Sequence, residues 1–140
     1  MASGYPDFEG GKVKLYTVAE WAAKEGTDKN WLISDGVTAY GEFVSTTYDV
    51  PAGKTLYITH AAFAIYAIAA GDADNNSIAY AQIQDATVPT VEWSQGGNGG
   101  GYANFTKPIV IPSEHRFYCS IFNFSNHNCA IGLMVAGYII

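Results

Sequence analysis

The chain has 140 residues, of which 49% are hydrophobic, 14% aromatic and only 14% charged, against a usual charged share of roughly 25%. Its formal net charge is −6, which argues against nucleic acid or an anionic lipid surface as the main partner. AAFAIYAIAA comes nearest to a membrane span and falls far short of the ~20 apolar residues one needs.

The opening MASGYPDFEGGKVKLYT has no basic region followed by an apolar run, so it reads as no signal peptide. The expectation is synthesis in a cytoplasm, with export, if any, by assembly into something larger. Residues 1–12 read as an extended arm. TVAEWAAKEG gives the one helical signal: Thr17 and Glu20 form a capping box, alanines follow, and Gly26 suits the stop. Trp21, and Trp31 just beyond, would pin that short helix to a neighbouring surface. The organisation expected is an arm and helix over 1–30, supplying attachment and oligomer contacts, and a β-domain over 31–140.

From Trp31 onward the pattern is strand and turn. EFVSTTYDV alternates, KTLYITHAAFAIYAIAA reads as one long strand or two with a bend, and GDADNNS reads as a loop. IAYAQIQ puts Ala79, Ala81 and Ile83 on one face. VPTVEW suits an edge, because Pro89 cannot donate to a ladder, and SQGGNGGG reads as a flexible loop. YANFTKPIVI, HRFYCSIFNF and NCAIGLMVAGYII complete the set. About eight strands separated by turn signals predict an all-β protein, an antiparallel β-sandwich of jelly-roll type.

VPAGKTLYIT and IPSEHRFYCS match position by position, 61 residues apart. Each is a β-branched residue, a Pro that sets the first corner of a tight turn, and then an alternating strand. They read as equivalent positions in two halves of one sheet architecture.

Chemistry-bearing groups are sparse. Asp72, Asp74 and Asn76 alternate like the start of a calcium loop, but the central Gly is missing and Ile83 stands where the closing Glu belongs, so a solvated loop tip is the better reading. GGNGGG lacks the Lys and Ser/Thr of a phosphate loop. His60, His115 and His127 show no metal spacing, and no Gly-x-Ser-x-Gly elbow occurs. No catalytic, cofactor or metal residue is assigned, and no enzyme activity is expected. Cys119 and Cys129 flank a segment that could be a hairpin, which permits a disulfide, but they read as small buried thiols. The sequons at Asn75, Asn104 and Asn123 read as chance. Tyr102 and Trp93 would form a sugar-stacking platform if both were exposed, and packed aromatics if not.

The last strand is apolar on both faces. Cys129, Ile131, Leu133 and Val135 alternate with Met134, Ala136, Tyr138 and Ile140, whereas a strand covered on one side only would carry polar residues on the other. Met134, Tyr138 and Ile140, with Trp21, are therefore the candidate oligomer-interface residues.

VPAGKTLYIT together with NFTKPIVIPSEHRFYCSIFNFSNHNCAIGLMVAGYII resembles small jelly-roll proteins of tailed viruses, the head-decoration, head-fibre and tail-tip domains. In those an Ile/Val-Pro-Ala-Gly corner precedes a strand, a Phe-x-x-Pro-Ile segment leads into a second corner, and a Gly-Tyr-apolar-apolar strand closes the domain, here Gly137, Tyr138, Ile139 and Ile140. Ser113-Glu114 departs from the usual Ala-Gly. The resemblance covers most of 45–140 and leaves 1–44 uncovered. It implies a virion protein, commonly a homotrimer, that contacts a major capsid protein or another virion protein. A carbohydrate- or receptor-binding adhesin module and a self-assembling filament subunit are the alternatives.

Overall fold

The computed structural model describes residues 5–9, 12–16, 27–72 and 76–140. Strands β1 (Tyr5–Glu9) and β2 (Lys12–Tyr16) pair as an antiparallel hairpin, Tyr5 opposite Tyr16 and Glu9 opposite Lys12. This replaces the expected extended arm. The helix expected over 17–26, with Trp21, lies outside the described residues, as do Asp74 and Asn75.

Eight further strands follow: β3 (Thr27–Thr38), β4 (Phe43–Asp49), β5 (Leu56–Ala67), β6 (Ile78–Asp85), β7 (Thr90–Asn98), β8 (Gly100–Ile111), β9 (Arg116–Asn123) and β10 (Cys129–Ile139). They form two four-stranded antiparallel sheets, β3–β10–β5–β8 and β4–β9–β6–β7. The first strand pairs with the last, the second with the seventh, the third with the sixth and the fourth with the fifth. These pairs fall alternately in one sheet and the other. That is a hairpin ribbon wound into two layers, the jelly-roll topology.

Alternation sends one side of every strand into the space between the sheets. Leu56, Ile58, Phe63 and Ile65 of β5 and Ile131, Leu133 and Val135 of β10 meet Ala79, Ala81 and Ile83 of β6 and Phe117, Cys119 and Ile121 of β9, all buried. Trp31 packs against this interior. It sits within β3, with its ring 4.4 Å from Phe117 and 5.5 Å from Tyr48. β3 begins at Thr27, ahead of the start read from the sequence. It is an edge strand with one outward face, and this admits Asp28 and Asn30.

The two matching decapeptides lie against each other. The first carries the chain from β4 to β5 and the second from β8 to β9, so both cross between sheets at one end of the sandwich. Val50 N donates to His115 O (2.9 Å), and Glu114 N donates back to Val50 O (3.0 Å). Each corner closes with the same bond, Lys54 N to Pro51 O and His115 N to Pro112 O, both 3.1 Å. Each Pro is therefore the residue before the first corner, and Ala52 or Ser113 takes the corner itself. The third residue of each turn has positive φ, Gly53 at 76° and Glu114 at 64°, as a type II turn requires. Arg116 Nε and Nη2 also grip Asp49 across this end, at 2.7 and 3.3 Å. That bond holds the Asp49 carboxyl below its ordinary value.

SQGGNGGG is not a loop. Gly96 and Gly97 belong to β7, opposite Tyr80 and Ala79, and Gly100 and Gly101 belong to β8, opposite Ala64 and Phe63. The glycines are there because backbones and rings come close. A Cβ on Gly97 would lie 2.5 Å from Gly100 O, and one on Gly101 would lie 2.6 Å from the Phe63 ring. β9 and β10 do not form a hairpin either, since they lie in opposite sheets. Cys119 and Cys129 are free buried thiols. Burial pushes Cys119 up to about 12.

Candidate interaction surfaces

The outer face of the first sheet carries a row of side chains across all four strands. Met134 on β10 stands opposite Leu32 on β3 and Ala62 on β5, and Ala62 stands opposite Tyr102 on β8. Leu32 is 80%, Tyr102 65% and Met134 38% exposed. In the next row Gly132 pairs with Ala64. These small residues form the floor of an open depression of about 280 Å³, with Leu32 and Met134 as walls.

The apolar face expected along β10 does not extend to its neighbours. Ala136 is flanked by Asn30 on one side and His60 on the other, and His60 by Asn104. This polar row separates Met134 from Tyr138, whose ring stacks on Tyr57 at 5.1 Å. Ile140 sits at the corner end, beside Pro51, Ala52 and Lys54. Of the interface candidates, Met134 and Tyr138 share a face at different heights and Ile140 lies apart.

The outer face of the second sheet carries a feature that strand patterns alone did not reveal. Phe43 on β4 stands opposite Phe122 on β9, which stands opposite Tyr80 on β6. The Phe43 and Phe122 rings are 4.8 Å apart and 30° from parallel, and Phe122 and Phe124 are 5.8 Å apart and 18° from parallel. Tyr40 packs edge-on against Phe124 at 6.1 Å. Five aromatic residues thus make one ridge. Each one is visible in the sequence as an aromatic at an outward position; only the register joins them.

Trp93 does not form a platform with Tyr102. It packs edge-on against Phe63 (6.4 Å) and Phe105 (5.8 Å), toward the core. Asn123 is fully buried, which removes its sequon from any modifying enzyme in the folded chain. Its Nδ2 donates to Thr38 O (2.8 Å) and His127 O (3.2 Å), and its Oδ1 accepts from Ser125 N (2.7 Å). It ties β9 to the end of β3 and to the segment leading into β10.

Two histidines have polar partners. His115 Nδ1 lies 2.6 Å from Asp85 Oδ2, a buried carboxylate. His127 Nε2 lies 3.1 Å from Ser77 Oγ, and its Nδ1 lies 2.9 Å from Asn126 Oδ1. The amide oxygen can only accept, so Nδ1 carries the proton and Nε2 accepts from Ser77. Cys129 in turn donates to Ser77 Oγ at 3.8 Å. This places a hydroxyl against an imidazole, a contact the sequence did not suggest. Ser77 is buried, and an amide stands where a charge-stabilising carboxylate would be needed to support an imidazolium. Among the described residues no three His, Cys, Asp or Glu side chains gather as metal ligands.

No protein-family model matches the chain, and no curated protein does. Solved structures do match. They include PliG of Aeromonas hydrophila, a periplasmic inhibitor of g-type lysozyme, at 13% identity over 84% of this chain and 90% of that one, TM-score 0.34. The VP2 subviral particle of infectious bursal disease virus matches at 11% over 96% of this chain, TM-score 0.36. This chain spans only 38% of that VP2 chain. The decameric BFDV capsid protein matches at 7% over 81% and 95%, TM-score 0.31. Viral capsid proteins are thus among the similar structures, beside an enzyme inhibitor, and none of those roles passes to this chain through likeness at this level.

Proposed function

We propose that the chain is a non-enzymatic structural protein of a virion, a decoration or fibre protein on the outer face of a tailed-virus particle, acting through protein–protein contacts. The observation that carries this reading is the uncharged row Leu32–Met134–Ala62–Tyr102, which crosses all four strands of the first sheet. Exposed apolar surface continuous over several strands marks a place where a protein is covered by another. The corner resemblance supplies the virion context, with its implied trimer, and a net charge of −6 suits a surface turned away from a packaged genome. Residues 1–30 supply attachment to the particle in this reading, and the sandwich supplies the contacts between copies.

The test is binding to particles that lack the chain. The full-length protein should decorate them, and a form without residues 1–12 should keep its folded sandwich and fail to bind. Full decoration by the truncated form would remove the attachment role. A protein that is monomeric at all concentrations and binds no particle would remove the structural reading.

A further inference from the structure

We propose that the outer faces of the two sheets are complementary to each other, so that copies associate head to tail, the aromatic ridge of one seated in the apolar depression of the next. This rests on the structural reading above for the idea that copies meet, and puts an open stack in place of the closed trimer that the corner resemblance implies.

The two surfaces differ in relief. The depression has a floor of Ala62, Ala64 and Gly132. The ridge is built of Tyr40, Phe43, Tyr80, Phe122 and Phe124. Protein interfaces at their core pack as densely as interiors. Depression against depression would leave a void, and ridge against ridge would clash. Large against small interdigitates. The spacing also agrees. Phe43 and Phe122 lie 4.8 Å apart on neighbouring strands, and the rows of the opposite sheet repeat at about the same strand spacing. The contact would reproduce the sheet-on-sheet packing that builds the interior.

The chemistry points to the same occupant. Neither surface includes a charged residue. Like-charged copies, each at −6, approach at least cost through such patches. Phe122 and Phe124 are stacked near-parallel and Phe43 leans on Phe122 at 30°, so the Phe122 ring is covered on its faces by its neighbours. A sugar needs an open ring face, whereas an apolar sheet can pack on ring edges. Tyr40, Phe43 and Phe124 are 68%, 53% and 43% exposed. At about 200 Å² per aromatic side chain this leaves roughly 330 Å² of exposed aromatic surface. That is much of the apolar share of the ~800 Å² each partner buries in a standard interface.

The geometry then sets the assembly. The two patches lie on opposite faces of one sandwich at similar distances from the corner end. A head-to-tail contact between opposite faces does not close into a small ring; it propagates as an open stack.

The test uses the full chain, Met134→Glu to put a charge on the wall of the depression and Phe124→Glu to put one in the ridge. Both positions are exposed, and thermal melting confirms that each variant folds; Leu32→Glu and Phe43→Glu replace any that does not. Wild-type mass by light scattering should grow with concentration beyond the dimer. Each variant alone should be monomeric, with association weakened at least a hundredfold. Their equimolar mixture should give a 1:1 dimer that grows no further, because one intact ridge meets one intact depression. A single variant that still dimerises, or a mixture that stays monomeric, overturns the proposal. A fixed wild-type trimer overturns the open stack and leaves the structural reading standing. A monomeric wild type overturns the stack, and the structural reading falls with it only if the chain also binds no particle.

Discussion

Glu114 stands in the second corner where Gly53 stands in the first, and both have positive φ, 64° and 76°. Glu114 is the only non-glycine among the described residues with that backbone. The left-handed region costs a side-chain-bearing residue about 1–2 kcal/mol. Glycine removes that strain but gains about 0.4–1 kcal/mol of unfolded-chain entropy. Glu114→Gly should therefore stabilise the fold by about 0.5–1 kcal/mol, a rise of a few degrees in thermal midpoint. Gly53→Glu should do the reverse, since a Cβ there meets nothing and only the backbone is strained. A drop in midpoint for Glu114→Gly would show that the corners are not equivalent.

Asn123 holds three chain segments with one side chain. Replacing it by Ala leaves Thr38 O, His127 O and Ser125 N without that partner in the interior. Each unmet buried group costs about 1–3 kcal/mol. Some relaxation will recover part of this, so Asn123→Ala should destabilise by about 3 kcal/mol and lower the urea midpoint without changing the slope. A loss under 1 kcal/mol would mean the hub carries no strain-bearing role.

Outside the glycine-rich segment the strand pattern from Glu42 to Ile140 was legible because period-two alternation and Pro or Gly punctuation mark the inward faces, as in Ala79, Ala81 and Ile83 of β6. The corner repeat was legible because Pro51 and Pro112 each follow a buried β-branched residue, Val50 and Ile111. What failed was local reading of composition. Gly96, Gly97, Gly100 and Gly101 look like a flexible loop in isolation, and only the close approach of Phe63 to Gly97, Gly100 and Gly101 accounts for glycine within a strand there. The exposed apolar patches were half legible. The outward place of Met134 shows in the two-sided apolar pattern of β10, but Phe43, Tyr80 and Phe122 come from three strands far apart in sequence, and a single strand gives no sign of its register partners.

The Cys119 thiol bears on alkaline stability. Burial raises it from 9.0 to about 12. The folded value lies above the unfolded one, so the neutral thiol favours the fold below pH 9, and this contribution fades as pH rises from about 9 toward 12. At pH 10 the loss relative to pH 8 is about 1 kcal/mol. Cys119→Ala should lower stability at neutral pH and flatten the fall between pH 8 and pH 10. Identical slopes for wild type and variant would disprove the link. In the native protein this thiol should resist alkylation at pH 8.

The Cys129–Ser77–His127–Asn126 chain of hydrogen bonds ties the start of β6 to the segment leading into β10. Ser77→Ala should then cost about 1–2 kcal/mol, because His127 Nε2 and the Cys129 thiol lose a partner. A fluorophosphonate probe should not label the wild-type protein. Covalent labelling at Ser77, lost in Ser77→Ala and in His127→Ala, would replace the structural reading with a hydrolytic one.

Gly101 and Gly36 give a paired test of why the glycine-rich segment is a strand. A Cβ on Gly101 would lie 2.5 Å from Gln95 Nε2 and 2.6 Å from two carbons of the Phe63 ring, whereas one on Gly36 meets nothing within 4 Å. Gln95 is flexible and can turn aside. Phe63 is buried in the core and cannot move without opening space beside Trp93, its ring neighbour at 6.4 Å. Overpacking of this kind costs typically 1–3 kcal/mol. Gly101→Ala should therefore lower stability by about 2 kcal/mol, and it should shift near-ultraviolet circular dichroism through Trp93. Gly36→Ala adds no clash and reduces unfolded-chain freedom, so it should be neutral or stabilise by up to about 1 kcal/mol. A loop would tolerate alanine at Gly101 as readily as at Gly36, and equal midpoints for the two variants would restore the loop reading.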